Sequence, residues 1–306
     1  MAGRQMAKQG SHRFGSGSTE LKLDVISAYL HAFTNALRNK FPNLIYIDAF
    51  SGSGARQVQH EAAPANLIED AREAWIEERR GSARIALETQ PPFSKIIFIE
   101  QKKAFCRALE KLAGGYSGRH VEVLRGDANE LILKAISRPW AGTRAVMFID
   151  PYGMQLNWST LEAIRKTEAV DVWYLVTLQG LYRQATLNRR DITLKKRAAL
   201  NRMLGTEAWE SAWYTPKSEG TLFEFLHEPR VMGDRRVADV DDMEAFVAKR
   251  LKDLFPMVSK PLRLKTKNGA PGFALFFACS NPSPAAFGIA SRIANHILKV
   301  GNASQV

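Results

Sequence analysis

Short apolar runs alternate with longer mixed stretches through the first half of the chain. Residues 44–47, 95–100, 121–124, 145–149 and 170–177 are rich in Ile, Val, Phe, Leu and Tyr, as expected of strands buried on both faces. Between them apolar residues recur at helical spacing. Leu23, Ile26, Tyr29, Leu30, Phe33 and Leu37 predict a helix capped by Thr19 and ended by Pro42. Further helices are predicted over 83–88, 104–112, 130–136 and 160–167, and the charged stretch 65–80 reads as helical after a polar loop at 55–63. This alternation predicts an α/β fold, a Rossmann-like, mostly parallel sheet with helices on both faces.

The order changes after Gln179. Residues 181–204 carry Arg183, Arg189, Arg190, Lys195, Lys196, Arg197 and Arg202 against one acid, Asp191, and Trp209, Trp213, Tyr214, Phe223 and Phe225 follow. The pattern then resumes with a helix over 242–255, an antiparallel hairpin over 262–267 and 272–278, and a closing helix over 285–298. Four regions are therefore expected: a basic, disordered tail (1–18), the first part of the core (19–179), a basic and aromatic insertion or cap (180–241), and the segment completing the core (242–306).

Of the 306 residues, 45% are apolar and 24% charged, ordinary for a soluble globular protein. No apolar run is long enough for a bilayer, and the N-terminus lacks the apolar segment of a secretory signal, so a cytoplasmic location is expected. Two cysteines, Cys106 and Cys279, rule out a disulfide framework or a cysteine-rich metal cluster. The net charge of +12 does change the picture, because it favours a polyanionic partner, with nucleic acid first. Arg183, Arg189, Arg190, Lys195, Lys196 and Arg197 are the candidate phosphate contacts.

The candidate chemistry lies at the strand ends. Strand 44–47 runs into Asp48, Ala49, Phe50, Ser51, Gly52, Ser53 and Gly54. A strand ending in a glycine turn is where an open α/β sheet binds a nucleotide-like cofactor. Three further strands end at or just before an acid, Glu100, Asp127 (with Ala128 after it) and Asp150. In a parallel sheet these four acids share one edge. Such a rim suits an adenosine cofactor with a cationic centre, S-adenosylmethionine, better than a pyrophosphate, and the turn lacks the Gly-Lys-Ser/Thr ending of a phosphate loop. Glu100 is placed to accept the ribose hydroxyls, Asp127 the adenine amino group, and Asp48 to order the loop or meet the ammonium. The separation of Asp48 from Glu100 is more than double the roughly 20 residues of a dinucleotide fingerprint, which an insertion after Gly54 would explain.

Asp150, Pro151 and Tyr152 form the candidate reaction corner: a carboxylate to hold an acceptor's N–H, a rigid turn and a ring to stack on a base. The structural alternative is that Asp150 caps the next turn and Tyr152 packs on it. Lys22 and His31, on the first helix, could point at the cofactor or a substrate, and a solvated surface is the expectation for each. A metal pair at Asp127 and Asp150 would leave the glycine turn and Glu100 without a role, so no metal site is expected.

Residues 46–54, 81–87, 97–100 and 148–153, together with Lys22, Tyr29, Leu30 and the segment 276–281, resemble the three-Cys-motif partner protein family. The resemblance implies a bacterial or phage protein with a class I methyltransferase-like core. It also implies a partner carrying three cysteines, of radical-SAM type. A single proline follows Asp150 where amino-methyltransferases have two. Two functions remain open: S-adenosylmethionine-dependent methyl transfer on or with nucleic acid, and a non-catalytic recognition subunit of the partner.

Overall fold

The computed structural model describes residues 17–60, 75–215, 234–266 and 269–303. The chain runs α1 (Ser18–Leu37), β1 (Asn43–Asp48), β2 (Ala55–His60), β3 (Trp75–Arg80), α2 (Ser82–Glu88), β4 (Lys95–Glu100), α3 (Lys103–Gly114), β5 (Val121–Arg125), α4 (Ala128–Ile136) and β6 (Thr143–Ile149). It continues through α5 (Trp158–Lys166), β7 (Val170–Thr177), α6 (Leu178–Gln184), α7 (Leu194–Leu204), α8 (Trp209–Tyr214), α9 (Val240–Leu254), β8 (Met257–Val258), β9 (Leu262–Lys265), β10 (Pro271–Cys279) and α10 (Pro284–Ala303).

β1 shows why the sheet is buried on both faces. Its alternate side chains Ile45 and Ile47 enter one apolar layer, while Leu44 and Tyr46 enter the other. β4 and β6 flank β1 in parallel, with β5 and β7 outside them. β10 pairs antiparallel with β7, and β8 and β9 both pair with β10, so the main order is β5-β4-β1-β6-β7-β10-β8. The chain moves outward from β1 through β4 to β5, then returns to β6 on the other flank. That reversal opens a crevice at the carboxyl ends of β1 and β6, where such sheets bind ligands. This is a mostly parallel α/β sheet with helices on both faces and antiparallel pairing late in the chain.

One apolar layer holds Ile47, Met147, Val172 and Phe276 against Ile132 of α4 and Leu161 of α5. Met203, Trp209, Trp213, Tyr214 and Met243 belong to that same layer. Trp209, Trp213 and Tyr214 of segment 180–241 are thus packed into the core, with Trp209 and Trp213 centroids 5.4 Å apart and Trp213 edge-on to Phe246 at 5.5 Å. Phe223 and Phe225 lie outside the described residues. The other layer joins Leu44, Phe148, Trp173 and Phe277 to Ile26 and Tyr29 of α1, Ile85 of α2, Leu109 of α3 and Leu298 of α10.

Three local expectations are corrected. Ala55–His60 and Trp75–Arg80 are paired antiparallel strands, where the sequence suggested a loop and the end of a helix. Each strand is specified by a partner distant in sequence, which one segment's periodicity does not register. Residues 61–74 lie outside the description, as do residues 1–16 of the tail. Helix α1 is preceded by Gly17 in extended backbone, without a side-chain cap from Thr19. It ends at Leu37, where Lys40 and Phe41 N–H groups turn back onto the Leu37 carbonyl before Pro42 is reached. Among the described residues no helix is long and apolar enough to cross a membrane.

Gly205 ends α7 in the left-handed conformation (φ 66°), and a Cβ there would lie 2.2 Å from the Trp158 ring. Gly205→Ala combines backbone strain with overpacking and is expected to cost about 1–3 kcal/mol. Urea unfolding measures it, and an unchanged midpoint would contradict the packing described here.

Candidate active-site cleft

The turn after β1 is stitched to both neighbouring strands. Ala49 N–H donates to the Phe148 carbonyl at 2.9 Å and Ser51 N–H to the Ile99 carbonyl at 3.0 Å. Asp48 orders this turn from beneath. It is fully buried, and its carboxylate accepts from Tyr46 Oη at 3.3 Å and from the Phe50 N–H at 3.4 Å. Burial pushes its carboxyl up to about 6, the nearby Asp150 charge adds to this, and hydrogen bonds from Ser82, Phe50 and Tyr46 oppose it. Between about pH 4 and 6 the folded chain therefore binds a proton that the unfolded chain has released. The stability linked to Asp48 is present at low pH and lost as pH rises through 6, by an amount on the order of 2–3 kcal/mol. Asp48→Asn should remove that slope from a series of urea titrations across the window; parallel curves for the two proteins would refute the assignment.

The two glycines of the turn do different work. Gly54 (φ 75°) packs backward: an added Cβ would lie 2.8 Å from Leu112 and 3.1 Å from Leu109. Gly52 (φ 61°) faces open space, and a Cβ there would meet only Tyr152 Oη, at 4.0 Å. Its N–H donates to Glu100 Oε2 at 3.0 Å, and the Lys102 N–H donates to Glu100 Oε1 at 2.8 Å. Each oxygen of this buried carboxylate keeps a lone pair for another donor.

Glu100 lines a cleft of about 530 Å³, within the range of small-molecule sites. Phe50, Asp127, Ala128 and Tyr152 share its wall. Asp127 caps α4, its Oδ1 accepting from the Asn129 and Glu130 N–H groups at 2.9 and 3.3 Å. Its Oδ2 has no hydrogen bond among the described residues. Sequence reasoning missed Asn129. Its Oδ1 accepts from Asn157 N–H and Thr160 Oγ1, each at 2.9 Å, and its Nδ2 donates to the Gln155 carbonyl at 3.0 Å. That side chain ties the start of α4 to the loop after β6 and so sets the width of the cleft. No motif marks it, because all its partners lie 26 or more positions away.

Asp150 stands beside the cleft at the end of β6, with Pro151 buried behind it and Tyr152 64% exposed. Asp150 Oδ2 is ion-paired with Lys22 Nζ. Lys22 is buried, at 9% exposure, and its ammonium lies 5.8 Å from the Phe148 ring centroid. The sequence placed Lys22 on a solvated surface, but the α1 stripe that packs on the sheet carries this residue inward. His31 stays at the surface side of α1, its Nδ1 2.9 Å from the Gln90 carbonyl.

The basic residues predicted in segment 180–241 differ in exposure. Arg183, Arg190 and Lys195 are exposed, and Arg189 and Lys196 are half-buried. Arg197 is ion-paired with the buried Glu210. Arg202, five residues further on in α7, lines the cleft, as does Lys102.

No known family model matches the chain, and no curated protein matches it. Among solved structures it is similar to a Legionella pneumophila protein assigned to the family model DUF519, with 15% identity over 92% of each chain and a TM-score of 0.47. It is also similar to Trm1 of Pyrococcus horikoshii in complex with S-adenosyl-L-methionine, with 13% identity, a TM-score of 0.42, and coverage of 84% of this chain and 54% of Trm1. Neither likeness bears on the chemistry, which the cleft's own residues carry.

Proposed function

We propose that the cleft binds S-adenosylmethionine and that the chain transfers its methyl group to an acceptor on or bound with nucleic acid. One observation carries this reading: Glu100 holds the N–H groups of Gly52 and Lys102 while sharing a cleft with Asp127 at the reversal of strand order. Glu100 would accept the ribose hydroxyls, Asp127 Oδ2 the adenine amino group, and Phe50 would cover the base. The space in front of Gly52 would admit the amino-acid end. When bound, the cofactor supplies an electrophilic methyl on a sulfonium.

Methyl transfer asks for alignment and exclusion of water more than for proton removal. With one oxygen held by Lys22, Asp150 keeps the other to accept a hydrogen bond from the acceptor. Tyr152 offers an exposed ring on which a flat base can stack. Exposed Arg183, Arg190 and Lys195 would contact phosphates, with Arg202 nearest the chemistry. A three-Cys-motif protein as working partner, which the family resemblance implies, and a cytoplasmic location belong to the same proposal.

Lys22 favours a second reading. Its ammonium already occupies the acid beside which an acceptor has to sit, as suits a recognition subunit that binds S-adenosylmethionine without turnover. Methyl-labelled S-adenosylmethionine incubated with RNA, DNA and cell extract separates the two. Transfer that falls by roughly 100-fold or more in Asp150→Ala supports the enzyme. Binding of the cofactor without transfer to any of these acceptors supports the recognition subunit.

A further inference from the structure

A second cavity, of about 220 Å³, lies at the opposite edge of the sheet, where the parallel strands begin. Its floor is the start of β7 beside the end of β10, where Asp171 and Cys279 are paired positions. Arg144 reaches the same side of the sheet, because Asp171 pairs with Val146 and Arg144 lies two residues earlier on β6. Phe33 of α1 and Ala290 of α10 wall the cavity, both buried. Such apolar walls make a carboxylate costly unless its charge is met.

Asp171 is only partly met. Tyr29 Oη, a neutral donor, donates to Oδ2 at 2.7 Å, and the Cys279 thiol at the paired position donates to the Asn281 carbonyl at 3.8 Å. Neither Arg144 nor Lys40 hydrogen-bonds it among the described residues. The Arg144 guanidinium lies 4.2 Å from the Phe41 ring centroid and donates to the Thr143 carbonyl at 2.7 Å. Arg144 also borders the neighbouring surface depression, which places it at the rim, and exposed Lys40 lines the cavity too. An acid on the floor, apolar walls and two cations at the rim form a graded site distinct from the cleft.

We propose that this cavity binds a small zwitterion of amino-acid size, with its ammonium on Asp171, its apolar body between Phe33 and Ala290, and its carboxylate at Arg144 and Lys40. At roughly 30 Å³ per water the space equals about seven waters, enough for the apolar body of leucine or phenylalanine. Burial pushes the Asp171 carboxyl up to about 6. Tyr29, Cys279, Arg144 and Lys40 are the titratable groups around it, and α10 contributes none to the cavity. The ammonium contact therefore strengthens as pH rises from 5 to 7.5.

The test titrates the full chain with L-leucine, L-phenylalanine, isoamylamine and 4-methylpentanoate, by calorimetry and ligand-observed NMR. At least one amino acid is expected to bind, and the probes lacking either charged end to bind roughly tenfold or more weakly. Asp171→Asn should lose roughly tenfold or more of that affinity, and Ala290→Leu should abolish binding by filling the space from α10. Circular dichroism checks that each variant is folded, and the pH dependence of the unmodified chain tests the same point without any substitution. Failure of both amino acids at millimolar concentration overturns the proposal. So does binding that Asp171→Asn leaves intact, or that 4-methylpentanoate matches.

Discussion

Glu100→Ala is expected to weaken binding of S-adenosylmethionine and S-adenosylhomocysteine by roughly 100-fold or more. The carboxylate would serve the ligand directly through its remaining lone pairs, where a hydrogen bond to a charged group contributes about 1.5–3 kcal/mol. It also serves indirectly, since the Gly52 and Lys102 N–H groups both end on it and fix the turn and the start of α3 around the cleft. Glu100→Gln separates the two roles. An amide has one accepting oxygen, so it can hold one of those N–H groups while its nitrogen repels the other. Its affinity should fall between those of the native chain and the alanine variant. Calorimetric titration at fixed salt measures all three. Native affinity in a folded Glu100→Ala chain would remove the cofactor reading altogether.

Trp213→Ala is expected to cost about 3–5 kcal/mol of stability, the range for losing a buried large aromatic. Trp213 is 1% exposed, packs on Trp209 and Phe246, and its carbonyl accepts from the Val237 and Ala238 N–H groups at 2.9 and 3.2 Å. Its indole Nε1 has no partner among the described residues, so Trp213→Phe should keep most of the stability by retaining ring packing and removing an unsatisfied donor. Urea unfolding, with the cofactor affinity measured alongside, decides between two pictures of segment 180–241. A single cooperative transition moved to lower urea places the segment within the core. A small separate transition, with the main one unmoved, makes it a detachable cap.

Both experiments probe features that differ in how visible they are from the chain alone. The strand pattern is local, because a run such as 95–100 is apolar at every position, and only burial on both faces explains that. The acids are almost as visible. Parallel strands bring their carboxyl ends to one edge, so Glu100 and Asp127 had to share that edge once the strands were recognised, and the pairing of β4 with β5 makes them neighbours on it. What distinguishes Asp48 from Glu100 is not local. Each follows an apolar strand, yet Asp48 is sealed under the turn while Glu100 lines the cleft. The same holds for Gly52 and Gly54, one facing open space beside Tyr152 Oη and one pressed on α3.

By itself, then, the amino-acid order determined the five parallel strands and the late hairpin, most helices, the edge at which the acids gather and the excess of positive charge. These depend on periodicity and on groups close in sequence. Only the tertiary structure decided that Lys22 pairs with Asp150 across 128 positions, that Arg197 is held by Glu210 while Arg202 reaches the cleft, and that Asp171 lies on the floor of a second cavity. Such pairings are set by which helix face packs on which strand. That choice comes from the burial of the whole apolar surface, and a single segment carries no record of it.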